Sequence, residues 1–222
     1  MHHPLDIVND HLLLRMPDGH WLLDTGSPQS FGHTNRLSVS GQTFQVAEQF
    51  MGLNSTRLSD LSGLQVQGLI GTDVLNAFDV VFDIPHQRVL LSPTPIDITG
   101  IQLRVNMVMG VPTTSIQIGH RPVNVFLDTG STICYWQDAQ LTDFPKHDLR
   151  SDFFPGIGDF DVQTHWVPFD LASERLEMVC GTLPGMLGLT LSAVGMGGIL
   201  GNAFMANRLV AYLPKSKKVI LA

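Results

Sequence analysis

Apolar residues in this chain come in short runs rather than long helical stripes. "HLLLRM" (11–16), "HWLLD" (20–24), "TFQVAEQF" (43–50), "VVFDI" (80–84), "RVLLS" (88–92), "TTSIQIG" (113–119), "VNVFLD" (123–128), "DVQTHWV" (161–167), "LVAYL" (209–213) and "KVILA" (218–222) are continuous or alternating. Gly, Pro, Asn and Asp separate them, and that period with that punctuation predicts β-strands. Hairpin turns are predicted at "MPDGH" (16–20), "SVSGQT" (38–43) and "IGHRP" (118–122). Helix is expected only as short pieces after Gly71 and after Gly201. The chain therefore reads as all-β.

The pattern repeats. "LLDTGS" (22–27) returns as "FLDTGS" (126–131). "GLIGTDVLNAFDVVFDIPHQRVLLS" (68–92) aligns without a gap with "GILGNAFMANRLVAYLPKSKKVILA" (198–222). Each begins with Gly, two aliphatics and Gly, and each ends in two apolar strands around a turn that contains proline. A tandem duplication follows. Residues 1–95 form the first lobe, and 96–222 the second. The linker lies near "SPTPIDITG" (92–100).

The copies differ in length between their anchors. "RLSVSGQTF" (36–44) resembles "RLEMVCGTL" (175–183), which places an insert before the latter in the second lobe. Inside it, "FFPGIGDFDVQTHWVPF" (153–169) joins a glycine-rich tip to a strand period, and predicts a β-hairpin that the first lobe lacks.

Composition narrows the function classes. Apolar residues are 44% and charged residues 15% of the 222, enough for a packed core. No apolar run approaches the roughly 20 residues of a membrane helix. The start lacks a basic segment followed by an apolar one, so no signal peptide is read and the cytoplasm is expected. A net charge of −7, with no basic run longer than "KSKK" (215–218), argues against nucleic acid or an anionic membrane as partner. Cys134 and Cys180 have no metal-ligand spacing and are read as free thiols. The histidines form no zinc motif, so no metal is expected.

An aspartate at the end of an apolar run is costly if buried alone. Two copies that face each other make sense of Asp24 and Asp128. The paired D-T-G-S motifs, each followed by aliphatic-aliphatic-Gly ("LIG" at 69–71, "ILG" at 199–201), resemble the pepsin and retropepsin clan of aspartic proteases. The length is similar to two retroviral-protease-sized lobes in one chain. The resemblance implies a bilobal acid protease, active as a monomer and needing no cofactor. It implies that Asp24 and Asp128 activate a water against a peptide bond of a peptide or protein substrate, with pepstatin-like compounds as inhibitors.

The same resemblance assigns the neighbours. Thr25 and Thr129 are expected to lock the two loops together, and Gly26 and Gly130 to leave room for close approach. Ser27 and Ser131 are expected to donate to the outer carboxylate oxygens and so to lower the pKa values of the pair. Gly156, Ile157 and Gly158 resemble the tip of a flap, here carried by the second lobe only. The flap tyrosine of pepsins has no match in that hairpin.

Other readings are weaker. "GMGGILG" (195–201) echoes a dinucleotide loop but lacks its βαβ setting. "NST" (54–56) is a glycosylation sequon only in a secreted protein. Trp21 and Trp166 are read as packing residues. The alternative function is a pepsin-like module that binds peptides or proteins without cleaving them; an intact D-T-G-S in both copies argues against it.

Overall fold

The computed structural model describes residues 1–155 and 157–222. In the first half, strands β1 (His2–Val8), β2 (His11–Met16), β3 (Gly19–Leu23) and β4 (Phe31–Gly32) precede β5 (Arg36–Val39) and β6 (Gln42–Gln45). Then come β7 (Gln49–Phe50), β8 (Leu53–Asn54), helix α1 (Ser55–Ser62), β9 (Gly68–Ile70), α2 (Thr72–Leu75), β10 (Asp79–Asp83) and β11 (Arg88–Ser92). The second half has β12 (Ile101–Arg104), β13 (Asn106–Val108), β14 (Val111–Ile118), β15 (Arg121–Leu127) and β16 (Cys134–Trp136). It continues with β17 (Lys146–Phe154), β18 (Gly158–Leu171), β19 (Glu174–Gly181), α3 (Gly185–Ala193), β20 (Gly198–Leu200), β21 (Leu209–Leu213) and β22 (Lys218–Leu221). The fold is all-β. No helix among the described residues is long and apolar enough to cross a membrane.

The strand order has a two-fold pattern. At the middle of one sheet β10 pairs antiparallel with β21, with Val80 opposite Tyr212 and Phe82 opposite Val210. Outward from this seam lie β11 and β1 on one side, β22 and β12 on the other. Each half also builds the same crossover. β3 runs parallel to β9, which is antiparallel to β4; β15 runs parallel to β20, which is antiparallel to β16. One apolar core spans both halves, with Leu14, Trp21, Phe78 and Phe82 from the first and Val167, Leu200, Val210 and Tyr212 from the second. Each such side chain contributes on the order of 1.5–3 kcal/mol by leaving water.

The predicted turns fall where their chemistry puts them. Val39 pairs with Gln42 around Ser40 and Gly41, whose φ values of 48° and 78° match the twist that a two-residue hairpin requires. Two helices were not expected. α1 begins at Asn54, whose side chain accepts the Arg57 N–H at 2.9 Å, and ends at left-handed Gly63. Those capping residues were the available signal, although Asn54 was read only as part of a sequon. α3 has no side-chain cap, and its apolar residues are not gathered on one face, so no period marks it.

The likeness of 36–44 to 175–183 does not survive. Residues 36–45 fold back on themselves as the β5–β6 hairpin, whereas 174–181 is one continuous strand between β18 and β16. Parallel pairing decides the true counterparts: Ala47 bridges Phe31 as Gly181 pairs with Tyr135. The second-half insert is the long β17–β18 hairpin, which begins at Lys146, before the expected 153.

Candidate active site

The two D-T-G-S loops follow β3 and β15 and meet. The Asp24 N–H donates to the Ile70 carbonyl and the Asp128 N–H to the Leu200 carbonyl, both at 3.0 Å, which hangs each aspartate from the crossover strand beside it. Gly71 and Gly201 sit under the loops. A Cβ on either would come within 2.7 Å of a backbone oxygen, of Ser27 and Ser131 respectively.

The loops interlock through their threonines. The Thr25 hydroxyl donates to the Leu127 carbonyl at 2.7 Å, and the Thr129 hydroxyl donates to the Leu23 carbonyl at 2.8 Å. Both threonines are buried. Gly26 and Gly130 allow the remaining approach. A Cβ on Gly26 would lie 2.3 Å from the Asp128 carboxyl carbon, and one on Gly130 would lie 2.5 Å from that of Asp24.

The two carboxyls come together, each lying against the glycine of the opposite loop. Oδ1 of Asp24 accepts the N–H groups of Gly26 and Ser27 at 2.8 and 3.0 Å; Oδ1 of Asp128 accepts those of Gly130 and Ser131 at 2.9 and 3.2 Å. Burial pushes Asp24 well above the usual carboxylate range, and the nearby charge of Asp128 pushes it further. Burial raises Asp128 too. Two expectations are corrected here. The Ser27 and Ser131 hydroxyls turn away from the acids and donate to the carbonyls of Gln29 and Ile133, at 2.9 and 2.7 Å. The serines reach the carboxylates through backbone N–H groups instead. Those donations favour the ionised form, but burial outweighs them, so the pair moves up and not down.

The pair lies in a cavity of about 310 Å³. Its walls are apolar, with Leu22, Phe31 and Leu69 from one half and Phe153, Phe160 and Ile199 from the other. The long hairpin contributes Asp152 through Pro155 and Phe160. Of the expected tip residues, Gly156 lies outside the described residues. Ile157 and Gly158 line a smaller adjoining cavity with Met51, Gly52 and Arg57, not the cavity of the pair. The first half, expected to bring no flap, has no counterpart of the long hairpin. It does bring the short β7–β8 hairpin, whose Phe50, Met51 and Leu53 line the main cavity. Trp21 is core, and Trp166 lies outside the cavity, its ring tilted against that of His147 with centroids 4.6 Å apart.

Sequence reading missed three polar residues of this cavity: His11, Tyr135 and Asp152. The Tyr135 hydroxyl donates to Asp152. Nothing in their local sequence marks them, because β16 and β17 meet only through the fold.

No family model matches the chain, and no curated protein matches it. Among solved structures, it is similar to the EIAV protease complexed with the inhibitor HBY-793. The match has a TM-score of 0.32 and 21% identity, and covers 43% of this chain and 85% of that one.

Proposed function

We propose that this chain is an aspartic endopeptidase, in which Asp24 and Asp128 share one proton and direct a water onto a peptide carbonyl. One observation carries this reading: two half-buried carboxyls, each packed against the glycine of the opposite loop and braced by two N–H donors, share one apolar cavity. Two carboxylates this close do not both ionise readily, so one proton is retained between them. The ionised member accepts a proton from the water, and the protonated member polarises the scissile carbonyl. The apolar walls favour hydrophobic side chains and an extended peptide. Residues 1–95 and 96–222 are the two lobes in this reading, and the seam between β10 and β21 supports it. Both acids come from one chain, so a monomer suffices.

The test is hydrolysis of a mixed peptide library at pH 4, 5.5 and 7 by wild type and Asp24→Asn, with and without pepstatin. Acid-favoured cleavage that the variant lacks is the expected result. Cleavage undiminished in Asp24→Asn overturns the reading. Peptide binding without cleavage favours a non-catalytic binding module instead.

A further inference from the structure

We propose that Asp152 is the specificity-determining carboxylate of the cleft and takes the cationic side chain of a lysine or arginine in the bound peptide. The assignment deepens the peptidase reading and rests on it for the nature of the ligand.

Asp152 comes from β17 and begins the stretch 152–155 that lines the cavity. Its neighbour Ser151 points outward, with its hydroxyl donating to Asp161 at 2.6 Å. Asp152 turns inward, into the cavity that holds Asp24 and Asp128. One of its oxygens accepts the Phe153 N–H at 2.8 Å, and the other accepts the Tyr135 hydroxyl. These bonds fix the carboxyl in place, but neither supplies a positive charge.

Tyr135 shows that the arrangement belongs to one half. It pairs with Ile199 on β20, as Phe31 pairs with Leu69 on β9. The two positions correspond, and only the second carries a hydroxyl.

The groups that face Asp152 are Tyr135 from β16, His11 from β2 and Asp128 from its loop. Burial raises Asp152 above the usual carboxylate range; burial also raises Asp128 and Tyr135, and the charge of Asp152 adds to both. His11 is the one base beside it among the described residues. Burial holds that imidazole below its ordinary range, and its buried Nδ1 has no partner among the described residues. Among the described residues no Lys or Arg lines this cavity; Arg57 lines the smaller one beside it.

A carboxylate withdrawn from water among apolar side chains lacks a counter-charge here. A cation on the ligand supplies it, and a neutral side chain leaves the cost uncompensated. Asp152 thus adds a charge requirement on one side of the acid pair to a cleft that otherwise selects for apolar groups.

The experiment uses Asp24→Asn protein, which holds peptide without turning it over, and calorimetry with peptides scanned position by position with lysine or norleucine. At one position lysine is expected to bind roughly tenfold tighter or more at pH 7. The preference should fade toward acid, as Asp152 takes up a proton and His11 becomes charged. In Asp24→Asn/Asp152→Asn the preference should vanish, while norleucine peptides bind within about threefold of before. Asn still accepts from Tyr135, so a purely bracing role predicts no such loss. No lysine preference at any position, no binding of either peptide, or a preference that survives Asp152→Asn overturns the assignment. Wild type that cleaves none of these peptides, with the charge preference intact, overturns the peptidase reading and leaves this one standing.

Discussion

The Thr25 N–H donates to Oγ1 of Thr129 at 3.0 Å, and the Thr129 N–H donates to Oγ1 of Thr25 at the same distance. With the two hydroxyl-to-carbonyl bonds, each threonine both gives and takes across the seam. Thr25→Val keeps the shape and removes the hydroxyl, orphaning the buried Leu127 carbonyl and Thr129 N–H. A loss of roughly 1–3 kcal/mol for each orphaned group is expected in urea unfolding. Thr25→Ser should restore most of it.

Gly26→Ala and Gly130→Ala should separate the acids while leaving both in the sequence. The added methyl meets the opposite carboxyl well inside van der Waals contact. Overpacking costs about 1–3 kcal/mol of stability, and displacement of the pair should lower peptide cleavage by about 100-fold. Full activity in either variant, measured as kcat/KM, would contradict the described approach of the loops.

Asp24→Asn and Asp128→Asn should each lower kcat/KM by at least about 100- to 10,000-fold while the fold, followed by circular dichroism, is retained. Stability should respond to pH in a definite direction. Both acids are raised by burial, so the folded state holds protons more tightly than the unfolded one. Their contribution is most favourable below the unfolded carboxylate pKa of about 4, and is lost as pH rises through the higher folded values. Thermal unfolding of wild type minus that of Asp24→Asn, measured across this window, should show the loss with rising pH.

Ser27→Ala and Ser131→Ala distinguish two roles for these hydroxyls. They donate to Gln29 and Ile133 carbonyls, not to the acids. The substitutions should cost about 1 kcal/mol in stability and leave the pH–rate profile in place. An upward shift of that profile would mean that the hydroxyls do act on the carboxylates.

Much of this was legible in the sequence. Asp24 and Asp128 stand in repeated motifs, and the repeats share an apolar pattern that places the acids at equivalent strand ends. Strands such as 11–16, 88–92 and 209–213 coincide with observed elements, because continuous apolar runs between turn residues admit few alternatives. The direction of the carboxyl pKa values was not legible, since it depends on how completely the halves exclude water. Nor were the serine hydroxyls, whose rotamers are chosen by nearby carbonyls. Asp152, Tyr135 and His11 come from separate strands, and no local pattern announces that they converge.

The seam between β10 and β21 joins two parts of one chain, not two copies. In a symmetric dimer any change on one side of the axis is repeated on the other, so the groove is a palindrome. A fused chain is free of that rule. Here one side carries a tyrosine, a carboxylate and a long hairpin, and the other a phenylalanine and a short one. Such a groove has a head and a tail, so on the proposed reading it distinguishes the N-to-C direction of a bound peptide.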